Sequence, residues 1–254
     1  MKIVSYNIAN YDDHPNWPIR KKLLATELAE IDADIIALQE VRYNIANPAN
    51  TDSADTAEEI LQELQLLGKY QDAYLITDKA MFYGSRNFWE GVSLISKYDI
   101  IEQGILHHTL LETSDLNKRV TQYSILLVEN EVFAILNTHL TYDQRGLEGN
   151  VTELLDYSVR FTNFPTIILG DMNATPENPA MEMIANYDFI DSYDYLQPGK
   201  DGFTYPTKSP SKRIDYIWIN QILEERLDKI MKIGTAQSGG IYPSDHCGIY
   251  LELK

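Results

Sequence analysis

Residues 166–181 read TIILGDMNATPENPAM, an apolar run of Ile167, Ile168 and Leu169 that stops on Gly170, Asp171 and Asn173 and then meets Pro176 and Pro179. Aliphatic and β-branched residues bounded by turn formers describe a buried strand. Gly, Asp, Asn and Pro are also what an ordinary turn uses, so this stretch alone carries no chemistry. The same construction recurs along the chain, and the recurrence decides the reading.

Seven further runs rich in Ile, Val, Tyr and Trp have strand length: KIVSYNI (2–8), DIIALQEV (34–41), GVSLISKY (91–98), QYSILLVE (122–129), VFAILNTHL (132–140), RIDYIWIN (213–220) and GIYLEL (248–253). Helical patterns fall between them at Trp17–Ile31, Thr56–Gly68, Val151–Phe161 and Pro179–Asn186. The second has Thr56 as N-cap with Glu59 three residues on, and Gly68 as its stop. An internal echo links SYNI, a helix and DIIALQE to NTHL, a helix and TIILGDMN, and two similar halves would bring corresponding strand ends together. The polar stretches at 42–55, 142–150, 197–213 and 234–243 read as surface loops. Several strands in succession near 91–140, with helices elsewhere, predict α/β (α+β) architecture: mixed or antiparallel sheets with helices outside, in a single domain over residues 1–254.

Composition bounds the function. A chain of 254 residues that is 44% hydrophobic can bury a large core. Its formal net charge of -17 repels polyanions unless a basic patch or bound metal reverses the field, which argues against a non-catalytic nucleic-acid binder. A site for divalent cations must itself be acidic, so the same charge is compatible with phosphoester cleavage. The single cysteine, Cys247, allows no intrachain disulfide, and cytoplasmic location is the default expectation. Met1 leads straight into a strand pattern, so neither a signal peptide nor a membrane anchor is expected.

The polar residues fall at strand ends. Asn7 closes the first run, Glu40 the second, His139 the fifth, and Asp171 with Asn173 the stretch quoted first; a period of two puts Asp171 and Asn173 on one face. Asp215 sits within RIDYIWIN among apolar neighbours and needs a partner. Asp245 and His246 open the last strand in PSDHCGIYLEL, and an antiparallel strand begins at the edge where its neighbours end. Singly, each has an ordinary explanation: a turn residue, a cap, a core histidine, or, for Asp215, an ion pair with Arg213 or Lys212. As a set they supply acids, amides and imidazoles at one rim.

Hard cations such as Mg2+ prefer carboxylate oxygen, which makes Glu40 and Asp245 a metal clamp. Phosphoester hydrolysis also needs a group to serve the attacking water and donors around the phosphoryl oxygens. Asp171 can do the first, and His139, His246, Asn7, Asn173 and Arg119 the second. Asp215 is the residue to orient His246 and favour its charged form.

These motifs, in this order over nearly the whole chain, resemble the endonuclease/exonuclease/phosphatase superfamily, the deoxyribonuclease-I-like fold: YNI with Asn7, LQEV with Glu40, GVSLISKY, NTHL with His139, GDMNATP with Asp171 and Asn173, RIDYIW with Asp215, and SDH with Asp245 and His246. The resemblance implies a four-layer sandwich, two packed sheets flanked by helices, and a Mg2+- or Mn2+-dependent hydrolase of phosphomonoesters or phosphodiesters. By matching position, Glu40 would ligate the metal, with Asp245 completing the site or sitting beside it, and Asp171 would activate water. Asn7 and Asn173 would position water and phosphate; His139 and His246, the latter paired with Asp215, would contact phosphoryl oxygens.

Arg119, in NKRVTQYSIL, would also touch the phosphate, with Lys118 or a structural salt bridge as the competing reading. His139 stands where abasic-site endonucleases usually carry tyrosine, and the inositol phosphatase variants of GDMN and RIDYIW are missing. Deadenylase-like, general nuclease-like and small phosphodiesterase members remain. Expected partners are a phosphorylated substrate, a nucleic acid or a small phosphodiester, with no membrane and no obligate protein. The lysine-bearing loop GKDGFTYPTKSPSKR either contacts an anionic substrate or keeps the surface soluble. The rival expectation is a catalytically silent member that binds a phosphorylated ligand or a protein.

Overall fold

A computed structural model describes residues 1–44, 55–84, 88–111 and 114–254. Its strands are Lys2–Asn7 (β1), Ile35–Asn44 (β2), Tyr74–Tyr83 (β3), Phe88–Ser96 (β4), Asp99–His107 (β5), Val120–Val128 (β6), Glu131–His139 (β7), Thr166–Asp171 (β8), Phe189–Asp191 (β9), Asp215–Asn220 (β10), Leu227–Ile233 (β11) and Gly248–Leu253 (β12). The helices are Trp17–Ile31 (α1), Thr56–Leu66 (α2), Gln144–Ser158 (α3), Pro179–Asn186 (α4) and the short Ser192–Leu196 (α5). One sheet runs β11-β12-β1-β2-β4-β3 and the other β5-β6-β7-β8-β10-β9.

Three apolar layers join these parts. Between the sheets, Ile3, Ile35, Leu94 and Leu251 meet Leu126, Ile135, Ile167, Leu169 and Ile217. Leu24, Leu28, Ile60 and Leu64 of α1 and α2 cover the outer face of the first sheet, and Leu147, Val151, Leu154 and Ile184 of α3 and α4 cover the second. Within β8, Ile167 and Leu169 point into the middle layer and Ile168 into the outer one, which is why a strand buried on both faces reads as one unbroken apolar run. The expected four-layer α/β sandwich is what these layers form. Among the described residues no helix is long and apolar enough to cross a membrane.

The internal echo corresponds to two parallel β-α-β units. β1 and β2 pair in parallel around α1, and β7 and β8 pair in parallel around α3. Parallel neighbours end at the same rim, so Asn7 and Gln39 lie in register in one sheet and His139 and Asp171 in the other. β12 runs antiparallel to β1, and β10 antiparallel to β8 with Asp215 opposite Asp171, so both begin at that rim.

Several local expectations need correction. α2 is capped by Asp55, whose side chain accepts from Glu58 N at 2.8 Å; Thr56 instead accepts Arg42 N at 2.9 Å. Gly68 does stop that helix, at φ +78, with its own N–H on Gln65 O and that of Lys69 on Leu64 O. The stretch 142–150 is mostly helix rather than loop: α3, capped by Asp143, begins at Gln144, seven residues before the expected start, and Gly146 lies against the Thr141 side chain. Two glycines in RGLEGN had masked the helical period. Asp215 opens β10 instead of lying within it. Of the 42–55 stretch, 42–44 belong to β2 and 45–54 lie outside the described residues.

Gly170 is the tightest point of the second unit. It adopts φ +136, and a Cβ there would stand 1.9 Å from Thr138 O on β7. Gly170→Ala is expected to cost on the order of 3 kcal/mol, from a backbone conformation that side chains avoid and a clash with main chain that cannot swing aside. Urea denaturation of wild type and variant measures this, and an unchanged midpoint would contradict it.

Candidate active site

The rim brings the strand-end residues together. Asn7 is fully buried; its Nδ2 donates to Glu40 Oε1 at 3.1 Å and to Asp171 Oδ2 at 2.9 Å, bridging the two sheets. Glu40 occupies a bulge, where β2 shifts register against β4 between Gln39 and Val41, and its φ is +57. The bulge takes Glu40 out of strand alternation. Its Oε2 accepts both the N–H and the Nδ2 of Asn10, at 3.0 and 2.9 Å. Burial opposes its charge, but His139, protonated in acid, and the Asn10 and Asn7 donors outweigh burial and hold its carboxyl at about 2.

Asp171 is almost completely enclosed, with Oδ2 3.6 Å from His139 Nε2 and 3.8 Å from His246 Nε2. Its Oδ1 accepts Asn173 N at 2.8 Å. Burial and the neighbouring Asp215 push this carboxyl upward, against the pull of the imidazoles. Asn173 adopts φ +50 just beyond the strand, so the period-two reading of Asp171 and Asn173 fails: the turn, not the pleat, brings them together. The Asn173 side chain donates to Leu140 O at 2.9 Å.

The two histidines differ in charge. His246 Nδ1 donates to Asp215 Oδ2 at 2.9 Å, and its backbone N–H to Ser244 Oγ, which in turn donates to Asn7 O at 2.7 Å. Burial resists its protonation, but Asp215 and Asp171 lift its pKa to about 10, so it is an imidazolium at neutral pH. The Tyr205 ring lies beside it, centroids 4.7 Å apart. His139 is pushed down to about 4, by burial and then by Arg119, and stays neutral.

These groups open on a cleft of about 770 Å³ lined by Glu40, His139, Asp171, Asn173, Asp245, His246 and Arg119 among others, with Asn7 and Asp215 behind its wall. Asp245 Oδ2 is 3.5 Å from His14 Nε2. Arg119 is held by Asp115 Oδ2 through Nε at 3.1 Å and Nη2 at 2.8 Å, so the competing salt-bridge reading and the cleft position both hold for one side chain.

Of all groups of three ligand-type atoms among the described residues, Asp171, Asp215 and His246 come within 4.8 Å of one another and could hold a metal. A protonated His246 has no lone pair to offer, so in the charge state its neighbours impose it acts there as the cation itself. Sequence reasoning passed over Asn10, His14, Arg42, Tyr83, Glu90 and Tyr205, which also line the cleft. Asn10, His14 and Tyr205 sit in loops and Arg42 lies beyond the β2 bulge, where no periodicity signals direction, while Tyr83 and Glu90 lie at the end of β3 and the start of β4, outside the apolar runs read as strands.

The raised value of His246 contributes stability that is complete below its ordinary pKa of about 6.5 and is lost as pH rises through about 10. With metal chelated, ring-nitrogen NMR at pH 8 is expected to show imidazolium in wild type and a mainly neutral ring in Asp215→Asn. Identical titrations in the two proteins would sink this account of the pair.

Residues 4–246 match the sequence profile of the Endonuclease/Exonuclease/phosphatase family. The chain is 23% identical over 212 residues to Protein angel of Drosophila melanogaster, an alignment covering 72% of this chain and 55% of that protein, so it spans about half the length of that relative. Among solved structures it superposes on an endonuclease/exonuclease/phosphatase family protein from Leptotrichia buccalis with a TM-score of 0.81, at 23% identity, covering 100% of this chain and 99% of the other. The human Nocturnin catalytic domain, solved with a bound sulfate anion, gives a TM-score of 0.75 at 19% identity, covering 100% and 93%. With nearly its whole length matched and its sheets arranged alike, this chain belongs to the Endonuclease/Exonuclease/phosphatase family.

Proposed function

We propose that the protein is a divalent-cation-dependent hydrolase of phosphoesters, with a nucleic acid or small phosphodiester as the favoured substrate. The observation that carries this reading is Asp171: a buried carboxylate gripped by Asn7 and flanked at 3.6 and 3.8 Å by one neutral and one protonated histidine. A structural turn residue has no use for that surround.

The donor chemistry fits a cation. Glu40 and Asp245 offer hard oxygen ligands on one cleft, and Glu40 is held ionised across the working pH range. Mg2+ or Mn2+ bound there would polarise a phosphoryl oxygen and offset its charge.

This chain's own residues supply the rest. Asp171, with its raised carboxyl, takes a proton from the attacking water, and Asn7 Nδ2 fixes the oxygen that receives it. His246, kept protonated by Asp215, donates from Nε2 to a phosphoryl oxygen, and neutral His139 adds a second donor. Asn173 stabilises the turn beside Asp171 and faces the phosphate from the cleft wall. Arg119, held by Asp115 through Nε and Nη2, lines the cleft and adds its positive charge for the same anion.

Phosphodiester, phosphomonoester, abasic DNA, single-stranded RNA and phospholipid substrates, each assayed with Mg2+, Mn2+ or chelator, test the proposal. Turnover of at least one is expected with metal and not with chelator. Asp171→Ala and His246→Ala are each expected to lower kcat by about 10²–10⁴-fold. A wild-type protein that hydrolyses none of them yet binds a phosphorylated ligand tightly would be a silent binder instead.

A further inference from the structure

Arg20 is held by six main-chain carbonyls. Its Nε donates to Pro15 O at 3.2 Å, its Nη1 to Ile8 O at 2.8 Å and Pro243 O at 3.1 Å, and its Nη2 to Ala9 O at 2.8 Å, His14 O at 3.1 Å and Asn10 O at 3.4 Å. The residue is 4% exposed, and no carboxylate bonds it among the described residues. Nothing in helix energetics accounts for it. Arg20 lies in the first turn of α1, where the helix dipole disfavours a cation, and α1 enters on a left-handed Asn16 that makes no side-chain cap.

The carbonyls identify what is being held. Five of them belong to the loop that leaves β1, and the sixth, Pro243 O, stands two residues before Asp245. The first loop delivers Asn10, whose two donors fix Glu40 Oε2, and His14, which faces Asp245. The second is tied to β1 independently by Ser244 Oγ on Asn7 O. One guanidinium therefore spans the two loops that surround both acids of the cation pair.

We infer that Arg20 is a positioning residue that pre-forms the cation pocket, clamping the loop after β1 to the loop before β12 so that Glu40 and Asp245 are in place before a cation arrives. The inference rests on the reading of Glu40 and Asp245 as the cation pair. It requires the fixed five-donor fork of arginine, because the three donors of a lysine ammonium cannot reach six carbonyls spread around a plane.

The test measures Mn2+ binding by calorimetry, without substrate, in wild type, Arg20→Lys, Arg20→Met and Leu154→Ala. The last removes core packing under α3, away from these loops, and controls for lost stability. Both Arg20 variants are expected to bind Mn2+ about 10- to 100-fold more weakly, as when a partner of a ligating side chain is lost, with Leu154→Ala unchanged. If Arg20→Lys binds as wild type does, charge suffices and the clamp is wrong. Equal weakening in Leu154→Ala would mean that general destabilisation is the cause.

If wild type itself binds no Mn2+, it is the assignment of Glu40 and Asp245 that falls. Hydrogen exchange on wild type needs no variant to fold: the amides of Ala9, Asn10 and Asp13 are expected to be protected equally with chelator and with Mn2+. Protection that appears only with Mn2+ would overturn the inference, since the cation would then be ordering the loop.

Discussion

Asp171 and Asp215 are directly paired across β8 and β10, and each is only 1% exposed. Two carboxylates so placed cannot both stay ionised without a cation or a dense set of donors. His246 meets that constraint by reaching both, Asp215 through Nδ1 and Asp171 from Nε2. Its presence there fixes where the last strand must begin, because His246 stands just ahead of β12, which must then pair with β1 to keep its start at the rim. The topology of the first sheet is in this sense coupled to a charge problem in the second.

The coupling runs through the middle layer as well. One β-α-β unit ends on Asn7 and Glu40 and the other on His139 and Asp171, so each sheet holds half of the constellation. Asn7 Nδ2 closes the gap by bonding a carboxylate from each sheet. Just below, Gln39 Nε2 donates to Asn137 Oδ1 at 2.8 Å, and Asn137 Nδ2 donates back to Ser93 O. Together with Gln122 Nε2 of β6, which donates to Asp78 Oδ2 of β3 at 2.9 Å, these bonds set the relative register of the sheets, because sliding one past the other would leave buried amides unpaired.

What the sequence revealed, and what it hid, follows sheet position. Every strand read from the sequence is interior to its sheet; β3, β5, β9 and β11, the four not read, are the four edges. Interior strands are buried on both faces and must be continuously apolar, whereas β3 and β5 are largely half-exposed and carry Asp78, Lys79, Glu102 and Gln103 among their apolar residues. The site shows the same division. Asn7, His139, Asp171 and the Asp245–His246 pair, at strand ends, could be placed by counting from an apolar run; Glu40, read as the end of its run, lies instead at a bulge within β2, which continues to Asn44. Asn10, His14 and Arg20 could not, because their directions depend on loop carbonyls and on a helix entry that has no cap signal.

The opposite charge states of His139 and His246 follow from their different neighbours, though both approach the same oxygen of Asp171. His246 has a second carboxylate, Asp215, at hydrogen-bond distance on its far nitrogen; His139 has Arg119 acting against its protonation, with Glu40 and Asp171 too weak to offset burial. A pocket with one cationic and one neutral imidazole carries less positive charge than its histidine count suggests. Glu40, held ionised, faces the cleft together with the cations Arg42, Arg119 and His246, while Arg20 beneath has its charge surrounded by carbonyls. A phosphate near Glu40 meets repulsion from the same carboxylate that is proposed to hold a divalent cation. Anion affinity and cation occupancy are thus tied to one set of carboxylates, in a chain whose overall charge of -17 offers no remote compensation.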